Sequence, residues 1–157
     1  MEGTPETLLE LRAGPVALRR IREQGLSPDM VAGLAGAAGG PKWLILNHLD
    51  RLLFGDWLPR APRPRFLIGS SIATWRFACA AQRDPEAAFQ RFEYTYIHEQ
   101  RYGHKPPASA VSTEARRLLD VLLGDNGPAE ILSSSDYQLH VMTVRCRGLL
   151  AREGKPL

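Results

Sequence analysis

The 157-residue chain has only two cysteines, Cys79 and Cys146, far apart and without metal-ligand spacing. Neither a disulfide framework nor a cysteine-bound metal can organise it. Both cysteines sit in apolar sequence, which predicts reduced, buried thiols. No apolar run approaches the ~20 residues that a membrane-spanning helix needs. The opening residues, Met1 to Glu6, are acidic and polar, with no basic region leading into an apolar stretch, so no secretory signal is visible. Lys and Arg total 20 against 17 Asp and Glu, for a sequence pI near 9.1. The basic residues are scattered, and no run of the kind that tracks phosphates exists, which argues against a nucleic-acid partner. Internal repeats and low-complexity tracts are also missing. Together these absences point to the cytoplasm, with room for reversible contact with a membrane.

What remains is ordinary soluble-domain composition, 44% apolar and 24% charged, in one chain long enough for a real core. The informative stretch runs from Met30 to Phe77. Met30–Ala35 is apolar on both faces, as a buried parallel strand is. Gly36 to Gly40 holds three glycines and two alanines, a composition that implies close backbone approach or positive φ. Pro41 suits a first helical turn, and Trp43, Leu44, Leu46, Leu49, Leu52 and Leu53 form the apolar stripe of a helix ending near Phe54-Gly55. Asp56 to Arg65 reads as an extended proline-rich linker. Phe66-Leu67-Ile68 is a short buried strand, followed by Gly69-Ser70-Ser71-Ile72-Ala73 and a helix to about Gln82 that is apolar nearly all round. The spacing predicts that Met30–Ala35 and Phe66–Ile68 pair in parallel through the intervening helix.

Flanking elements follow the same rules. Helices are predicted over Glu6–Leu11 and Pro15–Gln24, with Gly25 as a stop. A further helix starts at Asp84-Pro85-Glu86, where Asp84 is the N-cap, and runs to Arg101. Ser112-Thr113-Glu114 opens another, ending at Gly124, and a short one fills Pro128–Leu132. Tyr137 to Arg145 alternates as a strand. Phe89, Phe92 and Tyr96, at helical spacing, are core residues before they are a lipid site.

A serine between a short buried strand and a helix is the layout of a nucleophile elbow, which lifts a hydroxyl to the carboxyl edge of a parallel sheet. Ser71 is the middle residue of the five, two after Gly69, and Ser70 is the competing hydroxyl. The plain alternative is that Ser71 only caps the helix. The glycine loop could supply backbone N–H donors to an oxyanion at the same edge, from Gly39 and Gly40, because Pro41 has none. A Walker A loop is excluded: Pro41 separates Gly40 from Lys42, and Trp43 stands where that motif has a hydroxyl.

Gly39-Gly40-Pro41-Lys42 and, thirty residues later, Gly69-Ser70-Ser71-Ile72-Ala73 resemble the paired motifs of patatin-like phospholipases. That family has a Gly-Gly-x-Arg/Lys oxyanion loop after its first strand and a Gly-x-Ser-x-Gly elbow downstream. Ala73 departs from the pattern, which has glycine there. The resemblance covers roughly Met30 to Phe77 by motif. It implies a three-layer α/β/α fold with a mainly parallel sheet, and a serine acyl hydrolase acting on lipid or other carboxylic esters. Ser71 would be the nucleophile, Gly39 and Gly40 the oxyanion donors, Gly69 and Ala73 the elbow, and Lys42 a support for the loop or a contact for a phosphate headgroup. No metal or organic cofactor is implied.

The family's base is an aspartate in a later Asp-Gly-Gly or Asp-Gly-Ala motif. This sequence contains no Asp-Gly pair. Asp56, Asp125 and Asp136 read as turn or cap residues, His140 lies on a predicted strand, and His48, His98 and His104 have no evident partner. Three strands make a thin sheet where ~5–6 is usual. The expectation is therefore one α/β domain over residues 1–157 lacking its C-terminal portion, inactive alone. A Ser-His-Asp esterase completed downstream, and a catalytically silent patatin-like module that binds lipid or protein, remain open.

Overall fold

A computed structural model of the chain describes residues 10–148. Helix α1 spans Pro15–Gln24, with proline in its first turn, and Gly25 ends it at φ +78°, its N–H donating to the Ile21 carbonyl at 2.8 Å. Of the helix expected over Glu6–Leu11, only Glu10 and Leu11 fall within the described residues, and neither is helical. The Ser27-Pro28-Asp29 turn tightens into a 3₁₀ turn over Pro28–Met30. Met30 is consumed by that turn, its N–H bonded to the Ser27 carbonyl, so strand β1 starts later than expected and covers Gly33–Gly36.

After the glycine loop, the chain winds as a 3₁₀ segment (Gly40–Leu46), helix α2 (Asn47–Leu52), a wide π turn (Leu53–Trp57) and a second 3₁₀ turn (Leu58–Arg60). The sequence reading stopped this helix at Gly55 and gave Asp56 to Arg65 to an extended linker. Residues 56–60 are helical, only 61–64 lie outside helix and strand, and Arg65 already opens the next strand. Burial explains the correction: Phe54 and Leu58 are both almost fully inaccessible, and keeping the chain helical through Gly55 lets both reach the core. Strand β2 (Arg65–Ser70) leads into helix α3 (Ile72–Ala80). Helix α4 (Pro85–Tyr94) is capped as predicted, the Ala87 N–H donating to Asp84 Oδ1 at 3.0 Å, and continues as a π turn to Glu99. Helix α5 (Ala108–Leu123) starts four residues before Ser112, behind Pro107, and stops at Gly124 with φ +58°. Helix α6 (Gly127–Ser133) and strand β3 (Tyr137–Met142) follow. The alternation expected to Arg145 lapses after Met142.

The sheet is parallel throughout, in the order β1-β2-β3. β1 and β2 are neighbours, as their flanking of one helix predicted. Arg65, Leu67 and Gly69 face the helices and are buried; Phe66 and Ile68 face the other way and are 50% and 43% exposed. His140 and Met142 share that open side, and the Phe66 and His140 rings lie 5.6 Å apart on it. Parallel sheets are ordinarily covered on both faces. Among the described residues, helices cover one face, so two layers are seen where three were expected.

An aromatic core joins the layers. Trp43 stacks on Phe92 at 4.1 Å between ring centres, and Phe54 meets Phe77, Phe89 and Tyr137 at 5.6–6.3 Å. Phe89 and Phe92 are buried and Tyr96 is half-buried, so the stripe on α4 is core. Cys79 is buried, and burial pushes its thiol far above the ordinary range. Cys146 is exposed, against expectation: it follows β3 in a stretch, 143–148, whose residues are all exposed. No described helix is long and apolar enough to cross a membrane.

Candidate active site

Strand register sets the geometry first. Gly36, the last residue of β1, pairs with Gly69 of β2. The glycine loop leaving β1 and the turn leaving β2 therefore emerge side by side at the carboxyl edge of the sheet, where open α/β folds place their ligands.

Ser71 occupies the turn with φ 55° and ψ −128°. Apart from Lys105 in a loop, it is the only non-glycine residue of positive φ among the described residues. Such backbone costs on the order of 1–3 kcal/mol and persists only where surrounding structure enforces it. Here the enforcement is a strand and a helix joined by one residue. A plain N-cap serine has extended backbone and accepts an N–H of the first turn through its hydroxyl. Ser71 does neither. Its carbonyl accepts from the Thr74 N–H at 2.9 Å, while its hydroxyl makes no hydrogen bond among the described residues, and the side chain is exposed. The positive end of the α3 dipole lies behind it, an arrangement that favours developing negative charge. Ser70 is the last residue of β2, paired with Met142, and does not occupy the strained apex.

Gly69 is required sterically. A Cβ there would lie 2.7 Å from the Thr74 Cα and N. The helix passes that close because the turn is that sharp. Ala73, the departure from the family pattern, is fully buried, and its methyl group is accommodated from the other side: a Cβ on Gly36 would lie 2.6 Å from Ala73 Cβ and 3.0 Å from the Phe77 ring. Helix–strand packing here demands glycine at the end of β1 rather than at position 73. Gly36→Ala should accordingly cost about 1–3 kcal/mol by overpacking, and Ala73→Gly in the same chain should restore most of it. Denaturant midpoints of the four chains of that double-mutant cycle check this; strictly additive effects would contradict the contact.

In the loop, Gly40 sits at φ +51°, in the region that favours glycine, whereas Gly39 is extended at φ −165°. The N–H groups of Gly39 and Gly40 donate to no backbone or side-chain acceptor among the described residues. They are the free donors that an oxyanion would use. Lys42 is exposed at the start of the helical segment, with no carboxylate within ion-pair distance among the described residues. Trp43, next in sequence, is 1% exposed and pins the segment to α4 through Phe92.

A buried ion pair ties the two motifs together from below, and sequence reasoning missed it. Arg76 of α3 grips Asp50 of α2 bidentately, Nε to Oδ2 and Nη2 to Oδ1, both at 2.5 Å. Asp50 is 2% exposed and Arg76 9%. Burial pushes the Asp50 carboxyl above its ordinary value, opposed by the Arg76 guanidinium. Arg76, a lone charge in the otherwise mostly apolar α3, was the available signal.

The other titratable candidates are not brought to Ser71. Asp136 precedes Tyr137, which pairs with Arg65 at the amino edge of the sheet, roughly 20 Å of strand away from the turn. Asp56 pairs with Arg60, and Asp125 is exposed in the α5–α6 turn. His140 lies on the open sheet face against Phe66, His98 stands beside Tyr94 on α4's continuation, and His48 and His104 are exposed. Among the described residues, no group of His, Cys, Asp and Glu is arranged to hold a metal ion. Compared with protein-family models, with curated proteins and with solved structures, the chain has no match in any of the three.

Proposed function

We propose that this chain carries the nucleophile and oxyanion loop of a patatin-like serine acyl hydrolase acting on lipid or other carboxylic esters, in a three-layer α/β/α domain in the cytoplasm that can meet a membrane surface. The observation that carries the reading is the Ser71 backbone: a strained, non-glycine residue between strand and helix, exposed, with a hydroxyl that caps nothing. Ser71 attacks the ester carbonyl, the Gly39 and Gly40 N–H groups hold the oxyanion, and Lys42 supports the loop or meets a phosphate headgroup. A serine hydroxyl is a weak nucleophile until something takes its proton. The acceptor, an aspartate by the family resemblance or a histidine in the esterase variant, comes from outside the described residues.

A second reading, a catalytically silent patatin-like module that binds a lipid or protein, draws on one observation: no described carboxylate or imidazole is hydrogen-bonded to the Ser71 hydroxyl. A fluorophosphonate probe separates the two. The hydrolase reading expects stoichiometric labelling of the full natural chain, lost in Ser71→Ala. Labelling that is absent, or equal in the variant, favours the silent module or moves the nucleophile elsewhere.

A further inference from the structure

At the amino edge of the sheet, at the far end of β2 from Ser71, lies a cleft of about 700 Å³. Its walls come from the end of α3, the start of α4, the segment between α6 and β3, and the turn at Pro59. That volume falls within the ~300–1,000 Å³ of small-ligand sites. Tyr137, the first residue of β3, lines the cleft and is 8% exposed. Buried phenols ordinarily find a hydrogen-bond partner. The Tyr137 hydroxyl has none among the described residues, and it is not sealed beneath other atoms, so it meets the cleft unpartnered.

Four carboxylates line the same cleft, and Glu86 among them is committed to Arg51. Asp84, Glu130 and Asp136 form no ion pair among the described residues. Each accepts one hydrogen bond through one oxygen, from the Ala87 N–H, the Arg83 N–H and the Ser135 hydroxyl respectively, which leaves its second oxygen open. Two guanidiniums are also present. Arg65 is already engaged by the carbonyls of Pro28, Val31, Ala61 and Arg63. Arg83 is exposed, one cation against three open carboxylates. We propose that this cleft binds a small organic dication, an aliphatic diamine whose ammonium groups donate to the open carboxylate oxygens and to the Tyr137 oxygen. Its methylenes would lie on the apolar part of the lining, Phe54, Pro59, Ala80 and Ala81. The chain as a whole carries +3, so the attraction is a local property of the cleft and not of the net charge. The site is independent of the hydrolase reading, because it shares no residue with the Ser71 turn or the glycine loop.

The test is calorimetric titration of the full natural chain at pH 7 with 1,4-diaminobutane, beside butane-1,4-diol and butanedioate, which keep the chain length and remove or reverse the charge. Saturable binding of the diamine alone is expected. Tyr137→Phe, Glu130→Gln and Asp136→Asn should each weaken it about three- to tenfold, the usual effect of losing one charge-assisted hydrogen bond at a partly exposed site. Asp120→Asn, which removes an exposed carboxylate outside the cleft, should leave it unchanged. Circular dichroism confirms that each variant is folded, and the two carboxylate variants test the site separately should one of them not fold. No saturable diamine binding overturns the proposal. So does binding that Tyr137→Phe leaves untouched, or that Asp120→Asn weakens as much as the cleft variants do. Butanedioate binding more tightly than the diamine would show that Arg83, and not the carboxylates, governs the cleft, and would overturn it as well.

Discussion

On the proposed hydrolase reading, ester turnover by the full natural chain should fall about ten-thousandfold or more on Ser71→Ala, because the variant would have no atom to attack the carbonyl. Removing the nucleophile from a serine hydrolase site costs about as much as removing the whole catalytic set, and what remains comes from binding and the oxyanion donors. The substitution should leave stability unchanged or slightly raised. Alanine relinquishes no hydrogen bond, since the Ser71 hydroxyl makes none among the described residues, and the strained backbone is imposed by the strand and helix on either side. Kinetics on p-nitrophenyl esters of short acids, with thermal melts alongside, check both halves. A drop of less than tenfold would mean that Ser71 does not carry the reaction.

Asp50→Ala should destabilise the fold by about 3–5 kcal/mol, the usual cost of leaving a buried charge without its partner. Arg76→Ala should do the same from the other side. The pair is 2% and 9% exposed and bonded through two guanidinium nitrogens, Nε and Nη2, so solvent can take over for neither. Replacing both together, Asp50→Leu with Arg76→Met, should recover most of the loss, because a packed apolar pair dispenses with two desolvation penalties. Urea midpoints at constant slope are the measurement. Single-variant costs under about 1 kcal/mol would show that the pair is solvated in the native state. The pair joins the helix after the glycine loop to the helix after Ser71. Recovered stability without recovered turnover in the double variant would therefore mark it as a positioning device for the two loops.

Much of the layout was readable before any coordinates. Periodicity and turn chemistry place α1, the Asp84 cap, all three strands within a few residues, and the parallel neighbours β1 and β2. These features are local: a proline in a first turn, a glycine at positive φ, an apolar run of strand length. The errors lie where tertiary burial overrides local preference. Gly55 and Pro59 read as breakers, yet Phe54 and Leu58 hold the chain helical through both. Phe66 and Ile68 read as buried on both faces, yet the described residues cover only one. The site was half legible. Gly69, the turn at Ser71 and the 36–40 loop announce themselves by residue type, because sharp turns and close backbone approach need glycine. The exchange of bulk between Gly36 and Ala73 was not legible. It is a contact between residues thirty-seven apart that only the packing of α3 on β1 creates. Asp50 and Arg76 were hidden for the same reason, since neither alone says that the other faces it.

The central claim is that Ser71 and the glycine loop form one acyl-transfer site. A crystal structure of the full natural chain after reaction with an alkyl fluorophosphonate tests it most directly. The account predicts phosphorus bonded to Ser71 Oγ and the phosphonyl oxygen within about 2.7–3.1 Å of the Gly39 or Gly40 nitrogen. An adduct on another residue, or a phosphonyl oxygen turned away from every N–H of residues 37–42, would contradict it.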